Sequence, residues 1–579
     1  MQNSTMKTLH HLLLSMFLLH FPILLCYFSH SVSGNGISSG SKCISMERQA
    51  LLQFKQGINF DHCGLLTSWG DHEDCCQWRG IRCSNVTGNV IMLQAQGSGV
   101  NDDEICLEGQ LDPSLFKLKH LKYLDLSCNK FSQPIPKYID SLANLEHLNL
   151  SDAGFTGEIP LQLGNLSKLA YLDLSSHGFP SSDKLTAKSL QWISNLTMLK
   201  EIYLSGSDLS EATDWFDAIH KIPSLRVLYL DRCNDLIIPS SLPYINTSTS
   251  LRVLSLSSSI SGDYSVFQWL FNLSANGNQF EYLDFSSNYL SGPLPSAFGN
   301  MHSLSYLDLS SNRLSGPLPS VFGSIHSLSY LSLASNQLEG GIPTNFSNLR
   351  SLRVLSLSGN NLHGPVSKSL SNLCNLQKLD LDFNSFADDL SIVIQALSTG
   401  CANKPIVEYL DFRANQFWGS VPDMINTFSL MRELHLDGNR LNGTISEGIG
   451  QLSMLVQLGI SSNPLETTLN HNHFLTLSRL HELYLHNTAL ALRISTYWIP
   501  PFQLSIASLR SCKLGPHFPS WLLTQTNISY LDISNSQISG SIPTAFWAKL
   551  SSNNPVLERV LQQLSWGAPE FVNHLRLPR

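Results

Sequence analysis

The side chains with the widest choice of chemistry in this 579-residue sequence are its twelve cysteines and twenty histidines. Cys43, Cys63, Cys75, Cys76 and Cys83 crowd one stretch near the amino terminus. Such density suits disulfides in an oxidising compartment or a zinc site in a reducing one. Disulfides are favoured, because His62 and His72 do not stand at the regular intervals of a zinc finger. His471, His473, His481 and His486 gather later in the chain and read as scattered surface histidines. Asp102, Asp103 and Glu104 read as solvated charge near the first cysteines, and Gly34-Asn35-Gly36 precedes no dinucleotide-binding unit. The sequence has no phosphate-binding Gly-x-x-x-x-Gly-Lys loop and no His-Glu-x-x-His. The expected chemistry is therefore disulfide formation and non-covalent binding, with no catalysis, no metal and no cofactor.

The elements that must position any binding residues come from a single periodicity. Leu-x-x-Leu-x-Leu, with another apolar residue in place of a leucine in some copies, recurs seventeen times, mostly 24 residues apart, as at Leu304, Leu328, Leu352 and Leu376. Each copy is a short strand with leucines pointing inward, and none can bury them without a neighbour stacked on it. The fold expected is an α/β repeat solenoid, a right-handed leucine-rich repeat horseshoe or superhelix with short parallel strands on the concave face. Asn follows three residues after the last leucine, as at Asn129, Asn288, Asn312, Asn336, Asn360, Asn384, Asn415, Asn439 and Asn463. Its amide can bond backbone groups of the turn and stack into a ladder. Cys233 and Cys512 take that column in two repeats and should be buried thiols. Spacing widens from Leu172 to Ile202, Leu254 to Leu283 and Leu379 to Leu410, which predicts loops on one face. The last insertion is an acidic, partly helical excursion through Asp388 and Asp389, and a Cys374–Cys401 disulfide is expected to close it. Cys63, Cys106 and Cys128 stay unassigned, and the odd number of mature cysteines leaves at least one outside intramolecular pairing.

Along each strand the positions between the inward leucines are expected to be exposed and to carry any ligand. Most repeat a Tyr-Leu-Asp-Leu-Ser set, as at Tyr123, Asp125, Tyr171, Asp173, Tyr282, Asp284, Tyr306 and Asp308. Residues that break this monotony are the binding candidates: Glu201, Tyr203, Tyr229, Asp231, Lys378, Asp380, Asp382, Arg413, Glu433, His435, Asp437, Glu482, Tyr484 and His486. They form a mixed aromatic and acidic strip suited to a peptide or protein. The formal net charge of −8 is spread, no basic stripe is present, and nucleic acid is not an expected partner.

Residues 1–33 read as a signal peptide, with Lys7, an apolar run from about Leu9 to Phe28 and small residues ending at Ser33. Residues 43–84 depart from the repeat and read as a cap, with a helix near Met46–Lys55 and Trp69 and Trp78 covering the open leucine end. The array runs over 85–547, with about 17 repeats, and an irregular tail fills 548–579. Sequons at Asn85, Asn165, Asn195, Asn246, Asn272, Asn345, Asn442 and Asn527 are expected to carry glycans, while Asn149 lies inside a strand. No segment after the signal has the ~20 apolar residues of a spanning helix.

Cys75-Cys76-x-Trp78-Arg79-Gly80-Ile81-Arg82-Cys83, the Leu-Ser-Gly-x-Ile/Leu-Pro segments such as Gly292–Pro295 and Gly316–Pro319, and Leu509–Pro516 together resemble the plant leucine-rich repeat receptor-like proteins, from about Cys43 to Trp547. Within that family the nearest resemblance is to the group containing the receptors for fungal ethylene-inducing xylanase. The resemblance implies disulfides Cys43–Cys75 and Cys76–Cys83. It also implies an extracellular array that binds a peptide or protein in defence or development and signals through a co-receptor kinase. Family members are type I plasma-membrane proteins, so the expected location is the secretory pathway and then the plasma membrane. From about Ser551 the leucine register is lost, which points to a chain truncated or frameshifted before the membrane helix, with Val556, Leu557, Val560, Leu561 and Leu564 as a poor cap in the other reading. If the chain ends natively there, the expectation changes to a protein secreted to the apoplast, an inhibitor of microbial cell-wall hydrolases or a non-signalling decoy.

Overall fold

The computed structural model describes residues 42–97, 106–177, 184–238, 250–260, 265–275, 279–401, 404–539, 543–544 and 546. The expected signal, the tail at 548–579, Gly34–Gly36, Asp102–Glu104 and the sequon at Asn246 lie outside the described residues. The chain divides into two compact units, residues 1–280 and 281–579.

The first unit opens on a helix, Ser45–Gln56, whose Ala50, Leu51 and Phe54 face inward at helical spacing. Glu47 is buried beside them and is satisfied by the Val90 amide at 2.7 Å and the Asn89 side chain at 3.2 Å. Trp69 and Trp78 stack with ring centroids 5.6 Å apart and are buried, each indole N–H donating to a carbonyl, Trp69 to Arg79 and Trp78 to His72. Three disulfides hold this region: Cys43–Cys75, Cys76–Cys83 and Cys63–Cys106. The third ties together the antiparallel pair Ile58–Asp61 and Leu107–Gly109. Ile81–Cys83 then pairs antiparallel with Val90–Gln94, from which a parallel sheet runs through successive repeats to Val253–Ser255.

In the second unit the parallel sheet runs in register from Tyr282–Asp284 to Tyr530–Asp532, with Leu283 opposite Leu307, Leu331 opposite Leu355 and Leu379 opposite Leu410. The leucines are buried, and their stacking makes one continuous apolar core within the unit. Each repeat returns through a short 3₁₀ turn such as Ser320–Ser324, entered from Pro319 at φ −65°, a torsion proline already holds. Phe298, Phe322 and Phe346 fill the core beneath three consecutive turns.

A second parallel sheet, not anticipated from the sequence, links Ser291–Pro293, Arg313–Pro317, Gln337–Gly340, Asn361–Gly364 and Ser385–Phe386. It arises from the Leu-Ser-Gly-Pro segments, whose glycines bend the chain through the left-handed region, as at Gly316 with φ +74°. Between the two sheets runs the asparagine ladder. Asn336 donates from Nδ2 to the carbonyls of Leu309, Leu333 and Ala334 at 2.9, 3.1 and 3.1 Å and accepts the Leu314 amide at 3.0 Å.

Of the three insertions, the second forms a helix where a loop was expected, and the last carries the helix expected of its partly helical excursion. Ser265–Ala275 buries Val266, Phe267, Trp269, Leu270 and Leu273, and Leu390–Ser398 buries Leu390, Val393, Ile394 and Leu397, the i, i+3, i+4, i+7 spacing of one helical face. Asp389 caps the second helix by accepting the Ser391 amide at 2.8 Å, and Asp388 accepts the amides of Val366 and Ser367 at 3.0 Å. The acidic pair is therefore structural, and Cys374–Cys401 closes the excursion.

Candidate functional site

On the strand face of the first unit, Tyr123, His147, Tyr171, Tyr203 and Tyr229 stack one on the next at 4.2, 4.1, 5.5 and 5.1 Å. The first three share one column. Because Tyr203 is in register with Asp173 rather than Tyr171, the ladder steps diagonally there. The flat edges of neighbouring rings leave His147 little water, and this burial pushes its imidazole down to about 4. Of the candidates in this unit, Tyr203 donates to Glu201 Oε2 at 3.0 Å, and Asp231 accepts the Ser255 hydroxyl at 2.5 Å and the Ser257 amide at 2.9 Å.

The repeating Asp positions are buried rather than exposed as the alternation predicts. Asp125, Asp173, Asp284 and Asp308 each fold back to accept the amide of the Ser two residues on, at 2.9 to 3.0 Å. The Tyr rings beside them pack sideways across strands only 4.7–4.9 Å apart, so the columns cover themselves. The Tyr-Leu-Asp-Leu-Ser set is a turn device.

In the second unit the pattern breaks between Lys378 and His486. Three neighbouring strands bring together Lys378–Asp380, Tyr409–Asp411 and Glu433–His435. The Lys378 ammonium sits 4.4 Å from the centre of the Tyr409 ring, and Tyr409 donates to Asp411 Oδ2 at 3.0 Å. Arg413 forks onto Asp411, with Nε 2.9 Å from Oδ1 and Nη2 against Oδ2, and Nη2 also lies 3.5 Å from Asp382 Oδ2. Burial works to lower the Arg413 value, and Asp411 outweighs it and raises it. Asp380 is raised by burial and then by Asp411, and Asp382 is pushed up to about 8 by burial together with Asp380 and Asp411. His435 Nε2 lies 3.3 Å from Glu433 Oε2, and Asp437 Oδ1 holds the Ser461 amide at 2.8 Å and its hydroxyl. Gly459 clears the space for Asp437, since a Cβ there would stand 2.1 Å from Oδ2. Tyr484 donates to Glu482 Oε2 at 2.7 Å, and His486 Nδ1 meets the Ser508 hydroxyl at 3.0 Å.

The structure thus divides the expected strip by unit: Glu201, Tyr203, Tyr229 and Asp231 in the first, and the remaining candidates in the second. Asp382 and His435 are buried, at 3% and 7% exposure, and the other candidates are half-buried. Phe383 was missed. It is 51% exposed at φ +49°, in a column that elsewhere in the second unit carries smaller residues such as Ser335, Ala414 and Gly438, so its size and its strained torsion are the signal. His473 is not a surface histidine. It is buried, accepting the Asn470 amide at 3.1 Å and meeting the Ile445 carbonyl at 3.0 Å. Cys43, Cys75 and Cys76 lie close enough to share a metal, but their sulfurs are consumed in two disulfides. Cys128, Cys233 and Cys512 are buried and take part in none of the four disulfides. Asn85, Asn165, Asn195, Asn272, Asn345, Asn442 and Asn527 are exposed, and Asn149 is half-buried with its carbonyl oxygen accepting from Ser151. No helix among the described residues is long and apolar enough to cross a membrane.

Comparison with known proteins agrees with this architecture. Residues 44–84 match the leucine rich repeat N-terminal domain, residues 238–399 a leucine-rich repeat region, and 109–153 and three shorter segments further leucine-rich repeats. Receptor-like protein EIX1 of Solanum lycopersicum is 37% identical over 92% of this chain and 53% of its own length. Receptor-like protein EIX2 of the same plant is 36% identical over 96% of this chain and 56% of its own. Among solved structures, the plant peptide hormone receptor RGFR1 in complex with RGF2 superposes with a TM-score of 0.56 at 24% identity, covering 83% of this chain and 87% of that one. The Arabidopsis receptor kinase HAESA ectodomain with an IDA peptide gives 0.51 at 24% identity, covering 88% and 92%. The chain is a leucine-rich repeat protein homologous to the plant receptor-like proteins. It spans about half the length of the curated relatives it matches.

Proposed function

We propose that this chain is the extracellular ligand-recognition region of a plant receptor-like protein. It takes a peptide or protein on the strand face of its second unit and passes the signal to a partner receptor kinase in defence or development. The observation that carries this reading is the break in the repeating columns from Lys378 to His486, where charged and aromatic side chains depart from the generic set on the strands Lys378–Asp380, Glu433–His435 and Glu482–Tyr484, and Arg413 follows the generic strand Tyr409–Asp411. A repeat that served packing alone would keep the generic set, as the strands Tyr282–Asp284 and Tyr306–Asp308 do. The homology to tomato receptor-like proteins supports an extracellular receptor role, and the solved structures of peptide-bound receptors share the fold. Half-burial favours recognition, since these side chains are already held by their neighbours and lose little rotamer freedom on contact.

The test is the triple substitution E433Q/H435N/D437N in the secreted protein, screened with wild type against purified microbial secreted proteins and peptides. The variant is expected to fold cooperatively, with its unfolding midpoint measured beside wild type, and to lose affinity at least tenfold for a ligand that wild type binds. Equal affinity for that ligand rejects this strip. Inhibition of a purified polygalacturonase or xylanase by the wild-type protein would instead favour the role of a hydrolase inhibitor.

A further inference from the structure

Just before each strand the chain carries one residue at the rim of the strand face, and these residues form a column of their own. In two places the column pairs opposite charges, Lys122 with Glu146 at 2.7 Å and Arg432 with Glu408 at 3.1 Å. In the first unit it also places Lys200, Arg226 and Arg252 side by side. The Arg226 amide donates to the Lys200 carbonyl at 2.7 Å and the Arg252 amide to the Arg226 carbonyl at 2.9 Å, so the three cations ride on adjacent strands about 4.8 Å apart. All three are exposed. They stand one repeat apart along the chain and read there as isolated charges. Among the described residues the side chains of Lys200 and Arg226 have no hydrogen bond and no ion pair. The acids nearby are engaged elsewhere: Glu146 with Lys122, Glu201 with the Tyr203 hydroxyl at 3.0 Å, and Asp231 with Ser255 and Ser257. Like charges opposite one another across a sheet destabilise it, so packing alone does not call for this run. Apolar side chains share the same place. Met198, 55% exposed, precedes Lys200 by two residues, and the half-buried Val227 and Val253 follow Arg226 and Arg252 on paired strands.

We propose that Met198, Lys200, Arg226, Val227, Arg252 and Val253 form a second interaction surface, in the first unit, which takes an acidic segment of a peptide or partner protein interspersed with apolar residues. Carboxylates of that segment meet Lys200 and Arg226, the cations left without a partner, and its apolar side chains cover Val227, Val253 and Met198. The cations set the charge of the occupant, because complementary charge at an exposed rim steers encounter and selects partners. The apolar side chains set its class. An acidic polysaccharide offers carboxylates but no apolar side chain to cover them. This surface shares no residue with the strip of the second unit and stands or falls apart from the proposed function.

The probes are two rhodamine-labelled peptides, Glu-Val-Glu-Val-Glu and Glu-Gly-Glu-Gly-Glu, each flanked by Gly-Ser and read by fluorescence anisotropy against the secreted full chain at low ionic strength. Wild type is expected to bind the valine peptide saturably and the glycine peptide more weakly. K200Q and R226Q should each weaken the valine peptide about threefold to fivefold, the weight of one exposed ion pair, and added salt should weaken it in wild type. K122Q, whose cation already has Glu146, and E433Q/H435N/D437N should bind as wild type does. Absence of saturable binding by wild type, equal affinity for the two peptides, or an equal loss in K122Q overturns the proposal. A loss confined to the triple variant overturns it by placing the peptide on the second unit. A galacturonate oligomer of equal charge that displaces the probe better than unlabelled valine peptide does overturns it in favour of a polysaccharide. If K200Q or R226Q fails to fold, the other decides.

Discussion

Replacing Asn336 by alanine removes four hydrogen bonds from the middle of the polar ladder, and the structure shows how unequal they are. The Leu309 carbonyl keeps Asn312 Nδ2 at 3.1 Å, the Leu333 carbonyl keeps Asn360 Nδ2 at 2.9 Å, and the Ala334 carbonyl keeps the Ser311 amide at 2.8 Å. Each of these three losses weakens a shared acceptor and costs about 0.5 kcal/mol. The Leu314 amide has Asn336 Oδ1 as its acceptor at 3.0 Å and would be left buried, at about 1–3 kcal/mol. The expected total is about 3 kcal/mol. Repeats contact only their neighbours, so the loss should be local, and exchange of the Leu314 amide should quicken about a hundredfold at 1.4 kcal/mol per tenfold. Amide exchange of N336A against wild type reads this directly. Asn375, an exposed residue with one 2.7 Å bond to the Arg350 carbonyl, is the control. Destabilisation below about 1 kcal/mol, or equal to that of N375A, would refute the ladder as a source of stability.

Three further outcomes follow from the same geometry. His147 is pushed down to about 4 by burial, below its unfolded value of about 6.5, so the unfolded chain takes up the proton first. Stability conferred by the neutral ring is full above pH 6.5 and is lost as pH falls toward 4. H147F should flatten this part of a pH series of unfolding midpoints, and an unchanged slope would contradict the burial argument. Removing Cys374–Cys401 with two serines frees a sequence separation of 27 residues and should cost about 3–4 kcal/mol by loop entropy, read by urea unfolding; a loss under 1 kcal/mol would place the stability of the excursion in its helix instead. Burial pushes the Cys512 thiol up to about 11 and Cys233 higher still, so neither should react with iodoacetamide at pH 8 until the protein unfolds, and rapid labelling of the native chain would show that these positions open.

The repeat was legible in the sequence because its leucines, asparagines and prolines each answer a local demand: a buried strand face, orphan turn groups and the entry to a 3₁₀ turn. The second sheet was not. Segments such as Leu314-Ser315-Gly316-Pro317 are rich in turn formers, and their pairing depends on the neighbouring repeat rather than on their own propensity. The helix at 265–275 was hidden by its brevity inside irregular spacing, whereas the excursion holding 390–398 was legible as partly helical. Cys63 and Cys106 are separated by 43 residues with no local cue to their partnership. The candidate strip was found by its departure from the repeating columns, which is a statement about residue types. Its degree of burial was misjudged because alternation along a strand says nothing of rings and carboxylates that fold sideways onto the next strand, as Tyr409, Asp411 and Arg413 do. Phe383 escaped for a related reason, since its strain is visible only in the torsion.

The most direct test of ligand recognition by the second unit is a binding measurement on immobilised secreted protein. Wild type and E433Q/H435N/D437N are compared by biolayer interferometry against purified fungal xylanases and a panel of secreted microbial peptides and proteins. Saturable binding by wild type that falls at least tenfold in a variant that still folds cooperatively is the expected result. Binding to no member of the panel, or equal binding by both proteins, would contradict the assignment of this strand face as the recognition surface.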